Sequence, residues 1–244
     1  FIGDVQDLKQ PIVISFEYCV NNGRVTSSGR YVGGFVGYVS CGTGMRVTIS
    51  SSVNNGDVTG SWYVGGFAGI VSGGTGMIVT ISNSISNGNA TGSWYVGGFT
   101  GSVSGSINMT FTISNSINKG NTAGSRDYVG GFTGAVSGGT YMTIALSNSI
   151  NNGDVSGSDY AGGFVGNVNS PSHHYSMLYN ILSSTNKGRV SAKQGMACGL
   201  VSVISSVITT IINSINKGSV NAATNGYGIT NIITEARNVV SMGD

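Results

Sequence analysis

A repeat constrains this chain more than anything else in it. Tyr31-Val32-Gly33-Gly34-Phe35 recurs at Tyr63 to Phe67, Tyr95 to Phe99 and Tyr128 to Phe132, and Tyr160-Ala161-Gly162-Gly163-Phe164 is a fifth copy. Met196 to Leu200 and Asn225 to Ile229 are degenerate copies. The tyrosine spacings are 32, 32, 33 and 32, and the next two steps are 36 and 29. A second anchor precedes each copy: Asn22-Gly23, Asn55-Gly56, Asn87-Gly88, Lys119-Gly120, Asn152-Gly153, Lys187-Gly188 and Lys217-Gly218. The period is therefore about 32, with an insertion near Asn169 to Ser176 in the long copy. Self-similarity at such a period marks solenoids, propellers or helical arrays.

Aligned columns decide among these. Met45, Met77, Met109, Met142 and Met177 form one column; Phe16, Ile49, Ile81, Ile113, Leu146, Ile181 and Ile211 form another. Val20, Val53, Ile85, Ile117 and Ile150 form a third. Within Met77-Ile78-Val79-Thr80-Ile81-Ser82, apolar residues alternate with Thr and Ser, the period of a half-buried strand. No helical period is sustained, and β-branched residues and glycine oppose helix. A propeller blade needs roughly 40–50 residues. The pattern predicts an all-β, parallel β-solenoid of about seven coils, with coils ~4.8 Å apart and a rod on the order of 35 Å long. The Met, Ile and Phe columns are expected inside and the Ser/Thr columns outside. Asn83, Asn115, Asn148, Asn213 and Asn238 align, and stacked amides suggest a hydrogen-bonded ladder.

Each Gly-Gly pair (Gly33 and Gly34, Gly65 and Gly66, Gly97 and Gly98, Gly130 and Gly131, Gly162 and Gly163) is expected at a structural corner. Val64 and Phe67 are three apart, so one straight strand cannot point both inward. A positive φ or close contact with the next coil is expected there. The Asn-Gly anchors read as tight corners, since both residues tolerate positive φ.

Residues 1–20 are expected to form an irregular first coil or partial cap, because Gln6 to Tyr18 lacks the Gly-Gly turn and contains Pro11. Residues 21–244 form the array. Gly3-Asp4-Val5 and Gly243-Asp244 echo Gly56-Asp57-Val58, so the chain reads as a window of a longer repeat protein. Further coils, a neighbouring domain or copies of the chain end to end are the expected partners at its ends.

Gly33-Gly34-Phe35-Val36-Gly37, Gly65-Gly66-Phe67-Ala68-Gly69 and Gly162-Gly163-Phe164-Val165-Gly166 follow a Gly-Gly-apolar-x-Gly pattern, with turns such as Gly56-Asp57-Val58-Thr59-Gly60. In these residues the chain resembles the GLUG-type repeats of bacterial surface adhesins, and similar arrays occur on some protists. Phe stands where that family usually has Leu. The resemblance covers roughly residues 20–220 and implies an extracellular or cell-surface rod without catalytic residues.

Charged residues are only 8%, against about 25% in ordinary soluble domains, and the net charge is +2. That excludes a nucleic-acid patch, and Lys119, Lys187 and Lys217 in one corner column do not make one. The 39% hydrophobic content argues against disorder. No apolar run reaches the ~18 residues of a membrane-spanning helix. Cys19, Cys41 and Cys198 lack zinc spacing. His173 and His174 lie in the insertion without nearby acids. Asp127 and Asp159 share one column, Asp57 and Asp154 another, both read as solvated corners rather than a carboxylate pair for glycan cleavage. No cofactor is implied. Sequons stand at Asn89 and Asn108.

Two surfaces qualify for binding. Trp62 and Trp94 fall on adjacent coils, with Arg30 and Asp127 in their column. Thr48, Thr80 and Thr112 form a column beside Ser50, Ser82, Ser114 and Ser147, interrupted by Ala145. The expected function is a non-catalytic structural or adhesive segment presenting a Ser/Thr/Asn-rich face, with host or matrix glycans as possible partners. The alternative is a flat ligand-binding face for carbohydrate or ice. A polysaccharide-active enzyme comes third.

Overall fold

The computed structural model describes residues 2–8, 11–169, 177–205, 208–228, 235–237 and 240–241. One coil shows the unit. Its strands are Tyr63–Gly65, Ala68–Gly73, Ile78–Ser82, Ile85–Ser86 and Ala90–Gly92, which belong to sheets numbered I to V in that order. Every strand pairs in parallel with its counterpart one coil away, giving 7-stranded sheets I, II and V and 8-stranded sheets III and IV. Like residues stand in register: Tyr63 pairs with Tyr31 and Tyr95, and Ile81 with Ile49 and Ile113. The fold is an all-β parallel β-solenoid of about seven coils. Near the N-terminus, Ile2–Leu8 pairs with Val36–Cys41 across a register shift, and Val13–Glu17 pairs with Arg46–Ser50.

Two cores run along the rod. The larger lies between sheets II and III. Its Met45, Met77, Met109 and Met142, Phe35, Phe67, Phe99 and Phe132, and Ile49, Ile81 and Ile113 are buried. The smaller, enclosed by sheets I and V, is built of Val32, Val58, Val64, Ala90, Val96, Val129 and Val155.

The turn between sheets III and IV corrects the expected inward and outward assignments. Ser51, Asn83, Asn115, Asn148, Ser183 and Asn213 take φ between 48° and 51°. One left-handed residue reverses the alternation. Ile81 points in, Asn83 is exposed, Ser84 and Ser86 point in, and Ile85 is half-exposed. The column of Val53, Ile85, Ile117 and Ile150 thus lies on the outside, and Val20 at its edge is 50% exposed. Asparagine suits the corner because its short polar side chain lowers the cost of the left-handed region.

The asparagine ladder is accordingly not where the sequence suggested. Asn83, Asn115, Asn148 and Asn213 are exposed corner residues, and Asn238 lies outside the described residues. The ladder is Asn21, Asn54, Asn118, Asn151, Asn186 and Asn216, two residues before each anchor glycine. Asn118 Nδ2 donates to Asn151 Oδ1, Asn151 Nδ2 to Asn186 Oδ1, and Asn186 Nδ2 to Asn216 Oδ1, each at 2.8 Å. Each of those three Nδ2 atoms also donates to the glycine carbonyl two residues on, at 2.9 Å. Ser86 interrupts the ladder. Its Oγ and Asn118 Oδ1 are buried without a hydrogen-bond partner. A serine ladder runs beside it: Ser84 N donates to Ser116 Oγ at 3.2 Å, while Ser84 Oγ donates to Ser82 O at 2.7 Å.

The Gly-Gly pairs follow from crowding. None takes a positive φ. A Cβ on Gly65 would lie 2.1 Å from Ala68 O and 2.7 Å from Gly101 N of the next coil. A Cβ on Gly66 would lie 2.2 Å from Gly98 O and 2.5 Å from Ser86 Oγ. The second glycine of each pair is thus the floor on which the asparagine ladder rests. The Asn-Gly anchors do not use positive φ either. A Cβ on Gly88 would sit 2.0 Å from Gly56 O, so coil contact selects glycine there.

Candidate functional site

The outward face of sheet III carries Thr48, Thr80 and Thr112 in register, half-buried, with Ala145, Asn180 and Thr210 continuing the column. Beside it run Ser50, Ser82, Ser114 and Ser147, followed by Leu182 and Ile212. The flanking column mixes Arg46, Ile78, Thr110 and Thr143. The face is flat but chemically mixed. A regular two-column threonine array is not formed.

Trp62 and Trp94 stack with ring centroids 5.1 Å apart and planes 16° from parallel. Arg30 lies over Trp62 at 5.1 Å, and Arg126 over Trp94 at 5.0 Å. Both outer faces of the pair are therefore covered by guanidinium groups, a favourable cation–π arrangement. A sugar ring could stack there only by displacing an arginine. The repeat containing Tyr128 has one residue more than its predecessors, which brings Arg126 onto Trp94 rather than Asp127.

Asp127 turns instead to Asp159. Partial burial, a hydrogen bond with Asp159 and the Asp159 charge raise its pKa, opposed by Arg126. Asp57 and Asp154 serve the corners: Asp57 Oδ1 accepts from Asn89 N at 2.8 Å, and Asp154 Oδ1 from Arg189 N at 2.9 Å. Asn89 and Asn121 accept in the same way from Asn121 N and Asp154 N. Cys198 is a buried thiol that donates to Ser202 O at 3.5 Å, and Cys19 Sγ donates to Glu17 O at 3.4 Å. His173 and His174 lie outside the described residues. No metal-ligand cluster occurs among the described residues, and no described helix is long and apolar enough to cross a membrane.

A groove missed by sequence reasoning lies between sheets I and II. It has a volume of about 240 Å³ and spans four coils. Its wall is the tyrosine column, in which Tyr63 and Tyr95 stack at 4.7 Å and Tyr95 and Tyr128 at 5.6 Å. Burial, then neighbouring hydroxyls or the Asp127 carboxylate, raise the pKa of Tyr63, Tyr95 and Tyr128. These phenols stay protonated at neutral pH and can both donate and accept. The opposite side is uncharged and mostly polar, with Ser102, Ser104, Ser137, Asn167 and Asn169 beside Ile70 and Ala135. The column of tyrosines was visible in the repeat, but the groove depends on which residues face it from sheet II.

No protein-family model, curated protein or solved structure matches this chain.

Proposed function

We propose that the chain is a stiff, non-catalytic repeat segment of a surface or secreted protein, in the manner of GLUG-type adhesin arrays. Parallel pairing through all five sheets, in register except at the Ile2–Leu8 strand, carries this reading. Neighbouring coils are joined by backbone ladders and, along most of the rod, by buried serine and asparagine ladders. Such a rod resists bending and shear between coils, which a spacer or adhesive stalk requires. Its outer columns repeat the same Ser, Thr and Asn groups on successive coils, a surface suited to many weak contacts at once. The resemblance in the Gly-Gly-Phe motifs supports an extracellular setting.

Force spectroscopy on the full chain tests the mechanical part. High-force unfolding in coil-sized steps is expected, and smooth extension at low force would overturn it. Display on a heterologous cell surface, followed by attachment to glycan-coated or matrix-coated surfaces, tests adhesion. Reducing-end release from a polysaccharide panel would replace this reading with an enzymatic one.

A further inference from the structure

We propose that the groove between sheets I and II is a binding site for a neutral, unbranched glycan chain lying along the rod axis. A spacer needs no ligand, so this goes beyond the structural role and fails independently of it.

The groove arises from a taper in one column of sheet II. Tyr38, Ile70, Ser102, Ala135 and Asn167 stand in register on successive coils. Tyr38 stacks on Tyr31 at 4.7 Å and closes one end, and Ile70 follows it, only 9% exposed. Ser102 and Ala135 are too short to continue the filling, and the groove opens there. Two of its polar side chains are more than nine-tenths buried: Ser102 is 4% and Asn167 8% exposed. Neither makes a side-chain hydrogen bond among the described residues. A hydroxyl and an amide carried by otherwise buried residues thus open on the groove, free to bond a ligand or water.

The chemistry of the lining selects the ligand. No lining residue is charged, so an ionic ligand would lose hydration without a countercharge. Serine and tyrosine hydroxyls and the asparagine amides each donate and accept, which matches a polyol. The tyrosine faces are taken up by one another, so their edges and hydroxyls meet the ligand, and recognition proceeds by hydrogen bonds rather than ring stacking. These groups recur at every coil, ~4.8 Å apart. An extended pyranose chain advances by a similar length per sugar. Four coils span about 14 Å at that spacing, enough for about three sugars. The groove is smaller than the roughly 300–1,000 Å³ of enclosed ligand pockets, so a dissociation constant on the order of a millimolar is expected.

Nuclear magnetic resonance titration of the full chain with cellohexaose, chitohexaose and mannohexaose tests the site, with hexagalacturonate as the charged comparison. At least one neutral glycan is expected to shift the Tyr95 and Tyr128 ring signals and to bind about tenfold more tightly than hexagalacturonate, a difference of about 1.4 kcal/mol. Ser102→Ile with Ala135→Ile extends the plug that Ile70 already forms, and should abolish those shifts. Tyr95→Phe, which keeps the ring stack, should weaken binding about three- to tenfold through one lost hydrogen bond. The proposal is overturned if none of the three neutral glycans binds. It is equally overturned if hexagalacturonate binds as well as they do, or if binding survives the plug in a folded variant or is unchanged in Tyr95→Phe.

Discussion

Asn115 and Asn118 stand three residues apart in one coil and do different work. Asn115 is exposed, with φ 48°, and serine replaces it at Ser51 and Ser183 with the same φ. Asn118 is fully buried and donates to Asn151. Serine enters that column at Ser86, where it leaves two buried atoms without partners. The first column asks only for a backbone conformation, which Asn and Ser both supply. The second asks for a side chain long enough to reach the next coil, which Ser does not supply. A repeated residue type therefore does not reveal its role; the consequence of its exceptions does.

The corner at Asn115 also separates two isoleucines, and this is where the largest effect is expected. Ile113→Asp places an unpaired carboxylate in the larger core and should destabilise by more than about 4 kcal/mol. Ile117→Asp lies on the outer side and should cost under about 1 kcal/mol. Equal losses in denaturant melts would break the assignment of inside and outside.

Within the ladder, Asn151→Ala strands one N–H of Asn118 and the Oδ1 of Asn186, and removes the donor to Gly153 O. At about 1–3 kcal/mol for each stranded group, a loss of about 3 kcal/mol is expected by chemical denaturation. Its neighbour Asn148 should behave otherwise. Asn148→Ala should cost about 1–2 kcal/mol through the left-handed backbone, whereas Asn148→Gly should be close to neutral. A calorimetric series of these three variants would sharpen the contrast, and an Asn148→Gly loss as large as that of Asn151→Ala would abolish it.

The smallest expected effect has the opposite sign. Ser86→Asn restores the missing rung between Asn54 and Asn118 and should raise stability by about 1 kcal/mol, seen as a higher melting temperature. A decrease would show that the site has closed around serine.

Coil length, parallel stacking and the buried Met and Phe columns were legible because they depend on period and alternation alone. Gly66 was legible as a special position, and of the two causes expected for it the crowding of Gly98 O and Ser86 Oγ applies, not a positive φ. The left-handed corner was not, since Asn and Ser enter that conformation without the glycine that would announce it. That single residue moved Ile85 and Ile117 outward and transferred the ladder to another asparagine column. The Trp62 and Trp94 column was visible, but its arginine cap at Arg126 depends on one inserted residue. The groove required knowing that Tyr38, Ile70, Ser102 and Ala135 share a register, which becomes apparent only after the coils are laid one upon another.

The two tryptophans of this chain are also its only indoles, and they sit face to face on consecutive coils. Cofacial chromophores at 5.1 Å share their excited states. The pair should give a split signal in near-ultraviolet circular dichroism and a shifted emission, and Trp94→Phe should remove both. Tension along the axis that parts those two coils would uncouple the rings before any other coil need open. The rod thus contains an optical strain gauge at a known position, readable without a label.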